Sequence, residues 1–533
     1  MNLKTIVGHV GGRCKGEFEE QDAWKDAPPT SAQIQAVIMR KVEAIFAFVE
    51  KKGDARRFDE VERGLIGLIF GLARLFLAYF CACREERSED EIRRWERRGY
   101  RRRKPERKHL NTSFGRVTFW RTYVRKSGGT GVHPLDLALG VTADGVSFFV
   151  SQTSARLSTL VSYEQVTALM LYFLGWSPSK TTVEKAVLGF GRHTQEWFAC
   201  APAPDEDGEI LVSQVDCKAT PTATEAELEK RRGKRERKEQ PLSPRHRGRQ
   251  KRARRGPKKR KKTGDKSKNG KAATVVTQYT LKKAQDKDGN PVLLGPLNKK
   301  VYASYAPKRH AFAVARREAD KRGFTKESGK RHQIVTDGDE DFERLVKEFF
   351  PEATHTLDIM HVLEYVWEAG RFLYKKGSDE LAAWVKKQEK LLYKGKALRV
   401  VLNICDVQEH VGEKARERLE KIRWYLQNRI GMMGYDELRE EDLEVASGVV
   451  EGAVKHVVGK RFDNGSMRWI KERAEALLQL RCIEINGDWD PFTAFVQDKL
   501  NESGQHEESA ARLLTTKIAP LPTFGVSRYK IGS

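Results

Sequence analysis

After a helical N-terminal part, the chain alternates short apolar stretches with longer helical patterns, and this order limits the fold more than any other feature. Residues 209–216 form the first apolar stretch, and strand signals resume at residues 274–281. Residues 334–335 and 354–357 are also strand-like, and each is followed by a helical pattern. Strands that lead into helices are typical of a mixed or parallel sheet covered by helices. The sequence therefore predicts an α/β domain.

The region before that domain is expected to be mostly helical. Residues 31–51 and 64–83 carry helical patterns, whereas residues 84–108 are charged and arginine-rich, as an exposed connector would be. Residues 110–126 are β-branched and aromatic, which predicts a strand or hairpin. The stretch 64–83 is long enough to span a bilayer. Arg74 lies in its middle, so a buried core helix or a dimer helix is favoured and no membrane partner is expected.

Two short helical patterns within residues 155–192 have two interpretations. The first pattern ends at Gly175-Trp176, and Ser177-Pro178 is a good start signal for the second. One interpretation is a DNA-binding helix-turn-helix, and the other is an ordinary pair of antiparallel helices. In the first case the recognition positions would be Ser179, Lys180, Thr181 and Lys185.

Positive charge is concentrated in one segment of the chain. The 533 residues include 99 Lys and Arg against 74 Asp and Glu, which gives a formal net charge of +25. Residues 230–271 hold 22 of the basic and 3 of the acidic residues, a net charge of +19. A basic segment with so few apolar residues is expected to be flexible in isolation and to bind phosphates without reading base sequence. Within it, the expected DNA contacts include Lys258, Lys259 and Arg260.

The cysteines and the N-terminus bear on the cellular compartment. The seven cysteines are scattered and form no Cys-x-x-Cys pair, which argues against a zinc finger or a disulfide framework. A reducing cytosol fits this pattern best. No apolar segment of a signal peptide is visible at the N-terminus. We therefore expect a cytoplasmic protein.

Acidic residues follow three of the predicted strands. Asp216 ends the first apolar stretch, Asp337 opens a turn after residues 334–335, and Asp358 follows residues 354–357. Reactive groups of α/β sheets gather beyond the carboxyl ends of strands, and grouped carboxylates favour a hard cation such as Mg²⁺ or Mn²⁺. Each residue also has a simpler explanation, as a solvated strand end, a turn residue or a helix cap.

His361 lies one helical turn after Asp358, so the two side chains share a helix face. Such a pair could assist at a phosphate or bind a metal. The other interpretation is a capping aspartate beside a buried, hydrogen-bonded histidine. Spacing alone does not separate the two.

Five longer blocks make the sequence recognisable. In chain order they are VDCKATPT (215–222), TDGDEDF (336–342), LDIMHVLEYVWEAG (357–370), SGVVEGAVKHVVGKRF (447–462) and GSMRWIKERAEALLQLR (465–481). They resemble bacterial insertion-sequence DDE transposases of the Kra type, in the wider Mutator-like group. The resemblance covers roughly residues 110–490. Its first block departs from many relatives, because Cys217 stands where they have glycine.

The resemblance implies an RNase H-like core whose Asp-Asp-Glu triad holds two Mg²⁺ or Mn²⁺ ions. Carried over by motif, the triad is Asp216, Asp337 and Glu451. Asp358 and His361 match the group's (Cys/Asp)-x-x-His signature and would support the site without belonging to the triad.

The implied activity is metal-dependent cleavage of DNA at the ends of a mobile element, followed by strand transfer into target DNA. The implied partners are terminal inverted repeats and target DNA, bound by a homo-oligomer, and Arg468 is a further expected DNA contact. Two other functions stay open. One is a non-catalytic nucleic-acid-binding protein, and the other is an RNase H-like nuclease without strand transfer.

The expected fold class is therefore α/β plus α. Its parts are an N-terminal helical region (1–108), a small β element with a helical DNA-binding region (109–206), the first part of the core (207–372, with a basic insert at 222–271), an all-α insertion (373–443), the last part of the core with the glutamate (444–486) and a C-terminal tail (487–533).

Overall fold

The computed structural model describes residues 24, 26–53, 57–129, 131–141, 145–223, 229, 270–288, 291–463 and 469–504. Lys258, Lys259, Arg260 and Arg468, together with most of the basic insert, lie outside the described residues. The chain divides into two compact units. One contains the described residues up to His193 and from Trp489 onward, and the other contains those from Thr194 to Asp488.

The first unit is mostly helical and contains small antiparallel sheets. Its helices up to His193 are α1 Ser31–Gly53, α2 Phe58–Glu86, α3 Glu89–Arg97, α4 Pro134–Ala138, α5 Phe148–Leu160, α6 Tyr163–Leu174 and α7 Lys180–Gly191. Its strands are β1 Arg101–Arg102, β2 Glu106–Thr112, β3 Gly115–Arg121, β4 Val124–Arg125 and β5 Gly131–Val132. Strands β2 and β3 form an antiparallel hairpin, which confirms the prediction for this part of the chain.

Helix α2 is not a buried core helix, one of the two possibilities that the sequence favours, and the other, a dimer helix, stays a prediction. Within it only Leu75, Ala78 and Cys81 are buried. Among the described residues it is the one helix long and apolar enough to cross a bilayer by length and composition, and 17% of its most apolar window is buried in this chain. The Arg74 side chain is half-buried and donates a hydrogen bond to the carbonyl of Phe114, at 2.8 Å.

The arginine-rich stretch 84–108 is not an exposed connector. It contains helix α3, and the apolar face of this helix buries Ile92 and Trp95. Arginine and glutamate on the other face remain exposed. High charge density concealed an amphipathic helix, because two apolar residues three positions apart suffice to anchor so short an element.

The two helices at 155–192 form as predicted, but the second begins later. Helix α6 ends at Gly175, which has a left-handed backbone with φ of 74°. The cap of α7 is Ser179 rather than Ser177, because the Ser179 hydroxyl accepts a hydrogen bond from the backbone N–H of Thr182, at 3.1 Å. That bond satisfies one of the N–H groups left open at the start of the helix.

The second unit is an α/β structure with a helical insertion. Its strands are β6 Ile210–Pro221, β7 Gly270–Gln285, β8 Pro291–Ser304, β9 Arg331–Thr336 and β10 Thr354–Leu357. Its helices before the insertion are α8 Thr194–Cys200, α9 Lys308–Lys321, α10 Glu340–Phe349 and α11 Ile359–Gly370. The insertion contains α12 Asp379–Leu392, α13 Ala397–Glu409, α14 Glu413–Gln427, a 3₁₀ turn Ile430–Met432 and α15 Tyr435–Glu440. After it come α16 Gly448–Ala453, a π-helix Val454–Asp463 and α17 Lys471–Ile485, and the first unit resumes with α18 Trp489–Gly504.

The described strands of this unit form one mixed sheet in the order β10-β9-β6-β7-β8. Strands β9 and β10 run parallel to β6, whereas β7 pairs with β6, and β8 with β7, in antiparallel fashion. The six residues 210–215 of β6 are all buried, because helices cover both faces. Ile210 and Val212 pack with the insertion and α11, and Leu211 and Val215 pack with α9 and α10. The predicted mixed α/β architecture is therefore confirmed.

Several elements depart from their predicted bounds. Strand β6 continues beyond Asp216 to Pro221, because β7 pairs with it along its whole length. Strand β8 was not predicted, since its Gly295-Pro296 pair is a typical loop signal. The last part of the core, expected from residue 444, starts with four residues in neither helix nor strand, and α16 begins at Gly448. The expected C-terminal tail contains α18, whose Trp489 and Phe492 pack on Phe190.

Candidate active site

Strand register brings Asp216 and Asp337 to neighbouring positions. The last pair of the parallel β6–β9 ladder is Val215↔Thr336, so the next residue on each strand is one of the two aspartates. Both are half-buried. The sequence suggested that Asp216 ends its strand, but the strand continues to Pro221. Asp216 lies at the point where β6 loses its parallel neighbour and continues against β7 alone, through the pair Asp216↔Val275.

Asp337 sits in a turn that the insertion supports. Its Oδ1 accepts a hydrogen bond from the backbone N–H of Asp339, at 3.0 Å. The Tyr425 hydroxyl, from helix α14, donates to the Asp337 carbonyl. Gly338 has a φ of +75°, a conformation that side chains of L-residues rarely adopt. The Asp-Gly pair therefore forms a turn, and Asp337 lies directly after the carboxyl end of β9.

Glu451 belongs to the electrostatic environment of Asp216. It lies on α16, its side chain is exposed, and its backbone N–H donates to the Ser447 carbonyl at 3.1 Å. Burial raises the pKa of Asp216 above its ordinary value, and the negative charges of Asp337 and Glu451 raise it further. The Cys217 N–H and the charge of His361 act in the opposite direction. Two carboxylates from distant parts of the sequence therefore disfavour the charged form of Asp216.

The three carboxylates are not gathered on a common point. Among the residues that the structure describes, no three His, Cys, Asp or Glu side chains are close enough to hold a metal ion as they stand. The donor chemistry nevertheless suits Mg²⁺ or Mn²⁺, which prefer carboxylate oxygens and bind readily where negative charges repel each other.

Asp358 is a helix cap that also binds His361 and Ser447. It is fully buried, and its Oδ1 accepts the backbone N–H of Met360 at 3.0 Å, which caps α11. Its Oδ2 lies 2.7 Å from Nδ1 of His361 and also accepts the Ser447 hydroxyl at 2.5 Å. Burial alone would raise the pKa of Asp358, but hydrogen bonds from His361 and Ser447 hold it below its ordinary value. The capping interpretation is confirmed for Asp358.

His361 carries a positive charge beside this carboxylate. Its hydrogen bond to Asp358 raises its pKa from 6.5 to about 9, against the opposing effect of burial, and Asp337 adds to the increase. The ring is half-buried rather than buried, with 34% of its side chain exposed. The protonated imidazole donates to the carboxylate of Asp358, and its charge also acts on neighbouring Asp337.

The raised pKa predicts a pH-dependent contribution of His361 to stability. A group whose pKa is higher in the folded state stabilises fully below its unfolded value and loses that effect as pH rises through the folded value. We expect His361→Gln to reduce the free energy of unfolding most below pH 6.5, with the difference shrinking as pH passes about 9. Urea denaturation of both proteins between pH 6 and pH 10 would measure it. A difference that does not change with pH would contradict the charged state of His361.

Two buried glutamines near the site were missed by sequence reasoning. Gln214 and Gln333 lie in β6 and β9, and neither is exposed. A glutamine in the middle of a doubly covered strand is an unusual choice, because its amide needs buried partners. The presence of a glutamine within each of these strands is the sequence feature that could have drawn attention to them.

The proposed recognition residues lie in the first unit. Lys180, Thr181 and Lys185 are all exposed on the first two turns of α7. Lys180 lies 3.6 Å from Glu164, and both side chains are largely exposed, so this ion pair contributes little to stability. The three side chains are therefore available for contact, which is what recognition positions require.

Comparisons with known proteins do not identify the function of this chain. No family model matches the chain, and no curated protein matches it. Solved structures that match include a chain of the Drosophila P element transposase strand transfer complex, at 11% sequence identity and a TM-score of 0.29. The alignment covers 64% of this chain and 93% of that chain. A TM-score of 0.29 carries no argument about fold or activity.

Proposed function

We propose that the protein is a DNA transposase of the DDE type with an RNase H-like core. The observation that carries the proposal is the placement of Asp216 and Asp337 on adjacent parallel strands, with Glu451 close enough for its charge to act on Asp216. Motif resemblance had selected the same three residues from positions far apart in the chain. The proposal is therefore supported by two independent lines of reasoning, the placement of the carboxylates and the motif resemblance, which select the same three residues.

The three carboxylates would hold two Mg²⁺ or Mn²⁺ ions. When bound, such ions activate the attacking oxygen and stabilise the leaving oxygen at a DNA phosphate. The carboxylates contribute oxygen donors and negative charge, and the last pair of the parallel β6–β9 ladder, Val215↔Thr336, fixes the backbone positions of Asp216 and Asp337 relative to each other. His361, positively charged beside Asp337, would limit the repulsion among them until cations arrive.

The proposed partners are terminal inverted repeats and target DNA. A formal charge of +25 is suited to a polyanion. We also propose a homo-oligomer on DNA and a cytoplasmic, nucleoid-associated location. Exposed apolar side chains on α2, among them Phe76 and Phe80, are consistent with contact between copies. Light scattering of the protein–DNA complex would measure the stoichiometry, and one protein copy per DNA end pair would contradict the oligomer.

One assay separates the proposal from its alternatives. The purified protein is incubated with DNA carrying its coding region and natural flanks, with Mg²⁺ or with EDTA. We expect cleavage at the element ends only with Mg²⁺, and joining of the freed 3′ ends to a second DNA. Binding with no cleavage under either condition would favour the non-catalytic protein. Cleavage without joining would favour a nuclease.

Recognition by α7 gives a second prediction. Lys180→Ala and Lys185→Ala should reduce discrimination between end DNA and random DNA, since a lost base contact costs about 1–3 kcal/mol of discrimination. Competition binding at fixed salt measures this. Lys386→Ala and Lys387→Ala, which remove the same charge from exposed positions on α12, should leave discrimination unchanged. If all four variants discriminate equally, the recognition surface lies elsewhere.

A further inference from the structure

The chain returns from the helical insertion to the sheet along residues 444–450, which we call the return segment. The described residues 444–447 belong to neither helix nor strand, and α16 begins at Gly448. One backbone hydrogen bond, from the Ile359 N–H to the Val445 carbonyl at 3.0 Å, joins the segment to the start of α11. The remaining contacts to its backbone come from buried side chains of the sheet.

Gln333, on β9, pairs with the first residue of the return segment. Its Nε2 donates to the Glu444 carbonyl at 2.6 Å, and its Oε1 accepts the Glu444 N–H at 2.9 Å. The amide thus meets both backbone groups of one residue, as a neighbouring strand would. Its Nε2 also donates to Thr356 Oγ1 at 2.7 Å, which fixes the side chain against β10.

Gln214, on β6, spans the other end of the segment. Its Nε2 donates to the Ala446 carbonyl at 3.2 Å and to the Tyr279 hydroxyl at 3.0 Å. Its Oε1 accepts the N–H of Val450, at 2.9 Å. Val450 immediately precedes Glu451, and Gln214 lies two residues before Asp216 on the same strand. One buried side chain therefore links the strand of the first aspartate to the turn that carries the glutamate.

Asp358 supplies the third contact. It follows β10 directly, and its carboxylate accepts both the N–H of Ser447, at 3.2 Å, and the Ser447 hydroxyl. Two adjacent strands and the helix cap that follows the third thus each contribute one buried polar side chain to the return segment.

The first turn of a helix depends on such external contacts. Glu451 lies in the first turn of α16, where the backbone N–H groups lack partners within the helix, so contacts from outside help to fix this end. Glu451 is exposed, so packing of its own side chain does not fix it. Buried hydrogen bonds to the preceding backbone are directional, and the same sheet carries Asp216 and Asp337.

We infer that Gln214, Gln333 and Asp358 are positioning residues that set Glu451 against Asp216 and Asp337 by holding the backbone of the return segment. The inference rests on the proposed function for its catalytic consequence. Its structural content, that these side chains order residues 444–451, is independent of that function.

The test compares Gln214→Leu with a matched control, Gln278→Leu. Gln278 is also a buried glutamine of the same sheet, but its amide donates to Ser213 Oγ and to the Ala315 carbonyl, away from the return segment. Both variants remove one buried amide from adjacent strands. General loss of stability therefore affects both, whereas loss of the return segment affects only the first.

Two measurements are made on the full chain. Amide hydrogen exchange of peptides covering residues 446–453 should accelerate about tenfold in Gln214→Leu, the effect of one lost hydrogen bond, and should not change in the control. The Mg²⁺ concentration for half-maximal end cleavage should rise by about tenfold in Gln214→Leu alone, with DNA binding in EDTA unchanged. Gln214→Glu, which when protonated keeps a donor and an acceptor, should lie between wild type and Gln214→Leu.

The outcomes are distinguishable. Equal exchange at residues 446–453 in Gln214→Leu and Gln278→Leu would overturn the inference. Altered exchange with an unchanged Mg²⁺ requirement would overturn its catalytic part. A wild-type protein that does not cleave would refute the proposed function, while the exchange experiment would still decide on the positioning. If Gln214→Leu does not fold, Gln333→Met decides by the Mg²⁺ requirement and by exchange of peptides that include the Glu444 amide, which Gln333 binds.

Discussion

Replacing Asp216, Asp337 or Glu451 by alanine is expected to abolish Mg²⁺-dependent cleavage while the protein stays folded. A tenfold change in rate corresponds to about 1.4 kcal/mol, and metal ions contribute several kcal/mol to such reactions, so each loss should be at least ~10³-fold. DNA binding in EDTA should survive, because the carboxylates repel phosphates. Removing one of three repelling charges should stabilise the metal-free protein slightly. Cleavage rates and thermal unfolding of each variant measure both effects.

The control for these variants is Asp339→Asn. Asp339 lies two residues after Asp337 but matches no triad position. Its side chain caps α10 by accepting the N–H of Asp341, and it also binds Lys308 at 2.7 Å. Alanine would remove the cap as well as the charge, whereas asparagine keeps the capping oxygen. Asp339→Asn should therefore cleave nearly as wild type does. Normal cleavage by Asp337→Ala or Glu451→Ala, or an inactive Asp339→Asn, would refute the triad assignment.

Gly338→Ala is expected to have the second large effect, on stability and activity together. Its φ of +75° is costly for an L-residue, roughly 1–2 kcal/mol. A Cβ atom there would also lie 2.6 Å from the Tyr425 hydroxyl oxygen and 2.7 Å from Leu357 Cδ1. Overpacking of that kind costs a further ~1–3 kcal/mol. If the Tyr425 ring shifts to relieve the overlap, its hydrogen bond to the Asp337 carbonyl is lost, so the support of the turn that holds Asp337 is weakened.

Denaturant unfolding and end cleavage by Gly338→Ala measure the two effects. Gly448→Ala is the matched control, since no atom lies within 4 Å of the position that its Cβ would occupy. Alanine also favours the helix that begins at Gly448, so this variant should be neutral or slightly more stable. A Gly338→Ala protein as stable and active as Gly448→Ala would show that the turn after Asp337 is not constrained.

The parts of the fold that were predictable are those in which local pattern and tertiary role agree. Strands β9 and β10 each lead into an amphipathic helix, and both form where the pattern places them. Strand β8 could not be predicted, because its Gly295-Pro296 pair is a typical loop signal. Such residues are tolerated here because β8 is an edge strand of the sheet. Helix α18 was hidden because its apolar anchors, Trp489 and Phe492, bind a surface formed by residues distant in sequence.

The candidate site divides in the same way. Asp337 could be identified from its turn and Asp358 from its cap, because both signals are local. Glu451 has no local signal, since it is an exposed glutamate on a six-residue helix, and only the motif resemblance pointed to it. The roles of Gln214 and Gln333 depend on a segment more than one hundred residues away. Such long-range hydrogen bonds have no pattern in the neighbouring sequence.

The central claim is that Asp216, Asp337 and Glu451 belong to one divalent-metal site, and Mn²⁺ binding tests it most directly. Mn²⁺ is titrated into the wild type and into Asp216→Asn, Asp337→Asn, Glu451→Gln and Asp339→Asn, and free Mn²⁺ is followed by electron paramagnetic resonance. We predict affinity at least about tenfold weaker in each of the three triad variants, because each lacks an anionic ligand, and unchanged affinity in Asp339→Asn. Glu451→Gln binding Mn²⁺ as tightly as the wild type would contradict the account.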